Sequence, residues 1–214
     1  MLLGTIEKTR KTNVRIAVIT LDSKAYYKIT KILKDHNFSF LSLTPNEKIP
    51  SFVNLVITTE LEKHLALKTR YITLEELSNS KIQGYIILSK LSNLSCKNII
   101  IGIDPGYRTG LIVYNDDKEI YASVCRSINQ VKRTVKDVSE YFEESEIVIK
   151  IGKGDKHNSH YIAKTIRSFV NDNTKIEIVD EFGTSNQKTK PNKRSSRDIR
   201  AAKIIAFRQG KPFY

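Results

Sequence analysis

Between Asn98 and Tyr114 the chain reads NIIIGIDPGYRTGLIVY: an apolar β-branched run stops at Asp104-Pro105-Gly106, turns, and resumes at Leu111. β-Branched residues favour the extended pleated backbone, and Asp-Pro-Gly breaks it. Two such runs joined by a short turn pair antiparallel, so the fold must be organised around a sheet. The rest of the chain supplies enough apolar material to cover one. It has 214 residues, of which 40% are hydrophobic and 28% charged. That is a globular composition, with length for one or two domains that each bury a core.

Downstream of the hairpin, Glu119–Arg126 alternates as a third strand and Ile128–Phe142 is an amphipathic helix. Ile147–Ile151 is a short buried strand leading into the Gly-rich loop Gly152–Asp155, and His157–Asn171 is a helix. Ile176–Val179 is a last strand and Ser196–Gln209 a closing helix. The second half is therefore a mixed sheet in the order β-β-β-α-β-α-β-α.

Upstream, Val14–Thr20, Phe38–Leu43, Val53–Thr58 and Tyr85–Leu88 read as strands. Helical stretches lie between them: one capped by Asp22 or Ser23 and running to His36, then Thr59–Leu67 and Thr73–Ser80. Strands separated by helices predict a smaller α/β domain with a parallel sheet. The polar, Ser-rich stretch before Asn98 divides the chain into an accessory domain at 1–90, a linker at 91–97 and a second domain at 98–214.

The first half shows little chemistry. A receiver-type phosphorylation domain needs a carboxylate at the end of its third strand, and here that strand ends in Thr58-Thr59 with Glu60 beyond. No glycine-rich phosphate loop follows any strand. Asp22 reads as a helix cap, and His36 and His64 as helix-end or surface residues.

No apolar run reaches the length of a membrane span, and the N-terminus has no secretory pattern. Two cysteines, Cys96 and Cys125, make neither a disulfide scaffold nor a zinc ribbon, so a reduced cytoplasmic setting is expected. The net charge is +13, split between +6 in residues 1–95 and +7 in 96–214, and it predicts a polyanionic partner. Between Gly183 and Arg200 six basic residues, Lys188, Lys190, Lys193, Arg194, Arg197 and Arg200, surround the single acid Asp198.

Three segments in order resemble one known family. IIIGIDPGYRTGLIVYND resembles the first motif of the RuvC/YqgF branch of the RNase H-like superfamily. IVDEFGTS, from Ile178 to Ser185, resembles its late strand end, and RDIRAAKIIAF, from Arg197 to Phe207, its last helix. The resemblance covers about residues 97–210. It implies an RNase H-like domain and a metal-dependent nuclease of the Holliday junction resolvase type, with Asp104, Glu181 and Asp198 as catalytic and metal-ligating carboxylates. Mg2+ or Mn2+ is the implied cofactor, because hard cations take carboxylate oxygens and activate water for phosphodiester hydrolysis. Structured nucleic acid is the implied partner, branched DNA first and structured RNA second, and symmetric cutting favours a homodimer.

Arg108, Lys150, Lys153, Lys188, Lys190, Lys193, Arg194, Arg197 and Arg200 are the candidate phosphate contacts. The pattern departs from the family at Lys150, on a strand where RuvC proteins carry a Glu, and at Phe182, where the motif has an Arg. The alternatives are a non-catalytic nucleic-acid-binding protein or a structured-RNA processing protein on the same fold. Each acid also has a simpler reading: Asp104 as a turn residue, Asp198 as a helix cap, Asp180 and Glu181 as solvated strand-end residues.

Overall fold

The computed structural model describes residues 14–78, 80, 82–92, 98–154, 156–180 and 194–214. The chain divides into two compact units, Met1–Ser95 and Cys96–Tyr214.

The first unit is built on four parallel strands, β1 (Ile16–Ile19), β2 (Phe40–Leu43), β3 (Leu55–Thr58) and β4 (Tyr71–Thr73), in the order β2-β1-β3-β4. Every residue of β1 and β3 is buried, which is why both read as continuous apolar runs instead of alternating ones. On one face Ala17, Ile19 and Val56 pack with Val53 and Ala66, bordered by Leu43, Ile49, Leu65 and Tyr71. Alternation puts Ile16, Val18, Leu55 and Ile57 on the other face. Helix α1 (Ser23–Asp35) packs on β1 and β3 and buries Ala25, Ile29 and Leu33. Asp22 caps α1 as expected, its carboxylate accepting from the backbone N–H of Lys24 and Ala25.

The short helices α2 (Leu74–Ser78) and α3 (Gln83–Ser92) follow β4. Here the sequence reading needs correcting. Tyr85–Leu88 is not the fourth strand but the middle of α3, and Tyr71–Thr73 is the strand instead. A four-residue apolar run carries no periodicity that separates a strand from a buried helix turn. The helix is visible in Ser89, whose buried hydroxyl donates to the carbonyl of Ile86 three residues back. Of the expected linker at 91–97, Leu91 and Ser92 end α3, and 93–97 lie outside the described residues.

The second unit has a mixed sheet in the order β10-β9-β8-β5-β6-β7. Its strands are β5 (Asn98–Asp104), β6 (Thr109–Asn115), β7 (Lys118–Cys125), β8 (Glu146–Gly152), β9 (Lys175–Val179) and β10 (Lys211–Pro212). β5, β6 and β7 form an antiparallel meander, while β8 and β9 run parallel to β5. Helices α4 (Ile128–Tyr141), α5 (Lys156–Arg167) and α6 (Arg194–Phe207) complete the unit. The α/β class expected for both halves therefore holds, with one parallel and one mixed sheet. β10, which pairs antiparallel with β9, is an addition the sequence reading lacks.

Helix α6 lies on one face of this sheet, where Ala202 and Ala206 meet Ile112 and Tyr114. Two glycines make that approach possible. A Cβ on Gly102 would stand 2.4 Å from the Ala202 carbonyl oxygen, and one on Gly110 would stand 2.1 Å from that of Asp198. Among the described residues no helix is long and apolar enough to cross a membrane.

Candidate functional site

In the first unit the strand order reverses between β1 and β3, and open α/β sheets place ligands and switches beyond the carboxyl ends of their strands at such a point. The residues there are Thr20, Leu21 and Asp22 after β1, and Thr58, Thr59 and Glu60 at the end of β3. None of them fills the space with a free carboxylate. Instead Glu62 folds back into it: one carboxylate oxygen accepts from the hydroxyls of Thr20 at 2.5 Å and Thr59 at 2.7 Å. The other accepts from the backbone N–H of Leu21 at 2.7 Å.

Partial burial by itself would raise the pKa of Glu62, but these three donors outweigh it and hold the carboxyl below its ordinary value. Glu62 is thus an ionised, internally satisfied anion that ties the end of β1 to the segment after β3. Beneath it Thr58 is fully buried, and its hydroxyl has no hydrogen-bond partner among the described residues.

The same edge is tied twice more by carboxylates. Glu75 accepts from the backbone N–H of Glu60 at 3.0 Å. Glu76 accepts from that of Thr73 at 2.7 Å while its own N–H returns to the Thr73 hydroxyl, a reciprocal cap on α2. Sequence reading stopped at Glu60 and missed Glu62. The available signal was an acid four residues beyond a buried strand whose last residue, Thr58, is followed by a second threonine.

In the second unit, Asp104 ends β5 on the face that α6 covers, because it continues the alternation of Ile100 and Gly102. Its register partner on β6 is Gly110, the glycine over which the Asp198 carbonyl passes. The Asp198 backbone therefore lies beside the Asp104–Gly110 pair, and both aspartates are half-buried. Glu181, the third expected carboxylate, lies outside the described residues, as do Lys188, Lys190 and Lys193. Among the described residues no group of three or more His, Cys, Asp or Glu side chains is arranged to hold a metal ion.

The other expected cationic contacts differ in what they touch. Lys150 shares the α6 face through its pairing with Gly102. Its ammonium donates to the carbonyl of Arg208 at 2.7 Å and lies 3.8 Å from Glu177, with only 15% of the side chain exposed. A cation just beyond the carboxyl end of α6 is favoured by the helix dipole, so Lys150 holds the helix against β8 and β9. Lys153 reaches Asp180 at 4.0 Å. Arg197 and Arg200 are exposed on α6, Arg108 is half-buried in the β5–β6 turn, and Arg194 opens α6.

Comparison with known protein families matches residues 15–81 to the response regulator receiver-like domain, a span of less than half the chain. No curated protein matches. The family finding overturns the expected identification. The chain is similar, over most of its first unit, to receiver-like domains, which points to signalling; the RuvC/YqgF resemblance and the metal-dependent, Holliday junction-cleaving nuclease inferred from it are corrected accordingly. Thr58 stands where a receiver carries its phosphoacceptor carboxylate, but that one residue is no test of the fold. The matched residues hold buried apolar strands β1 and β3, a capped α1, and a β3 that ends where the strand order reverses.

Proposed function

We propose that this chain is a signalling protein whose first unit is a receiver-like domain working without a phosphorylated aspartate. The observation that carries this reading is the Glu62 carboxylate, bonded to Thr20, Leu21 and Thr59 at the strand ends where a receiver would place its phosphoacceptor. A phosphorylated receiver acts by putting negative charge at this edge and drawing the neighbouring loop hydroxyl and N–H groups onto it. Glu62 supplies such a charge permanently. The domain accordingly presents one constant conformation to a partner.

The test is incubation of the full chain with acetyl phosphate and Mg2+, followed by intact mass measurement and hydroxylamine treatment. The expected result is no phosphoryl adduct. A hydroxylamine-sensitive adduct mapped to a carboxylate within residues 15–81 would overturn the reading.

For the second unit the reading adds an RNase H-like arrangement, as a fold and not as an activity. Its support is the antiparallel β5-β6-β7 meander followed by α4, parallel β8, α5, parallel β9 and α6. The backbone of Asp198 passes over the register partner of Asp104, and carboxylates are hard oxygen donors of the kind that suits Mg2+ or Mn2+. The net charge of +13 and the exposed Arg197 and Arg200 favour nucleic acid as the polyanion this protein meets.

A further inference from the structure

Among the described residues of the first unit, five glutamates stand near strand ends. Glu47, Glu60, Glu62, Glu75 and Glu76 all follow strand ends, and each already has a partner: Glu47 with Thr44, Glu60 with Lys63, Glu62 with Leu21, Glu75 with Glu60 and Glu76 with Thr73. Helix α1 carries the opposite sign. Lys24, Lys28, Lys31 and Lys34 are all exposed and recur at spacings of four, three and three, forming one outward stripe opposite the buried Ala25, Ile29 and Leu33. The acids near this stripe are Asp35, which meets Lys31 at 3.4 Å, and Asp22, the helix cap beside Lys24 and Lys28.

Tyr27 stands within the stripe. Lys24 is three residues before it, Lys28 next to it and Lys31 four after, and the ring is 67% exposed. At 1.5 Å per residue the lysines extend along about 15 Å of helix.

We infer that the outward face of α1 is a binding surface for single-stranded nucleic acid, with the lysines on successive phosphates and Tyr27 stacked on an unpaired base. Evenly spaced cations with an exposed aromatic ring among them are the two parts of a sequence-tolerant single-strand platform. Ammonium groups neutralise phosphates without reading sequence, and a tyrosine face accepts any base. A duplex would leave the ring without a partner. A lipid surface would require an apolar face on the helix, and the lysine side offers only Tyr27 as a large apolar group, Tyr26 being turned to Ser42 on β2. Glu62 is not among the proposed contacts, so the inference stands or falls independently of the phosphorylation test.

The experiment is fluorescence anisotropy of the full chain with labelled oligothymidylate and oligouridylate over a potassium chloride series. Partners are the triple variant K24Q/K28Q/K34Q and Tyr27→Ala, each verified as folded by circular dichroism and melting temperature. Three fewer phosphate contacts at about 0.7 per contact lower the slope of log K against log salt by about two in the triple variant. Tyr27→Ala weakens binding about tenfold and leaves the slope unchanged. An unchanged slope in the triple variant, or no binding by the native chain, overturns the inference. So does a loss in the triple variant that appears only against phosphatidylserine vesicles or polyglutamate and not against the oligonucleotides.

Discussion

Glu62 is the residue whose chemistry can be dissected most directly. Its carboxyl is held below the ordinary glutamate value, so the stability it contributes is fully present above about pH 4.3, the usual unfolded value, and is lost as pH falls through the lower folded value. Glu62→Ala, which leaves the Leu21 N–H and both threonine hydroxyls to water, is expected to cost about 1–3 kcal/mol at neutral pH. The gap between variant and native chain should narrow as the solution is acidified below that range. Urea melts at a series of pH values give both quantities, and a gap that stays constant with pH would refute the ionised role. Asp22 makes a simpler prediction: Asp22→Ala removes the cap of α1 at a cost of about 1 kcal/mol, read in the same melts. Asp22 was legible because a cap acts within its own turn. Glu62 was not, because its partners Thr20 and Leu21 lie some forty residues away along the chain.

At the scale of elements, the close approach of α6 to β5 and β6 rests on glycine. Gly110→Ala would place a methyl group 2.1 Å from the Asp198 carbonyl, and both atoms nearest to it belong to the backbone, so the helix must lift. Destabilisation of about 1–3 kcal/mol or more is expected, from overpacking that no side-chain rotation relieves. Thermal melts of Gly110→Ala against an exposed control such as Gly106→Ala, whose nearest neighbour lies at 3.2 Å, test this. Lys150→Met keeps the aliphatic stem and removes the ammonium that meets the Arg208 carbonyl. It is expected to loosen the end of α6, seen as faster amide exchange at Arg208 and its neighbours.

Most elements were legible from periodicity: α1, α4, and the strands β1, β3, β5 and β6 lie within a few residues of where their patterns put them. The exchange of strand for helix at Tyr71–Thr73 and Tyr85–Leu88 has a physical cause. A three-residue strand beside a buried β3 needs few side chains of its own, and a helix packed on all sides loses the polar face that would have marked it.

For the whole molecule, two units with separate cores predict two unfolding transitions in calorimetry; a single transition with equal calorimetric and van't Hoff enthalpies would show that they fold as one. The sequence alone determined the features that act locally: the α/β class, the hairpin at Asp104 and the basic excess. Charge and hydrophobic period are sums over neighbours in the chain, so they can be read without the fold. Only the tertiary structure decided which distant residues meet. It brought Glu62 onto the ends of β1 and β3, set Asp198 over the register partner of Asp104, and committed Lys150 to a helix end. Those pairings join residues far apart in sequence through strand order and register, and no local pattern encodes which distant partner a side chain meets once the sheet has formed.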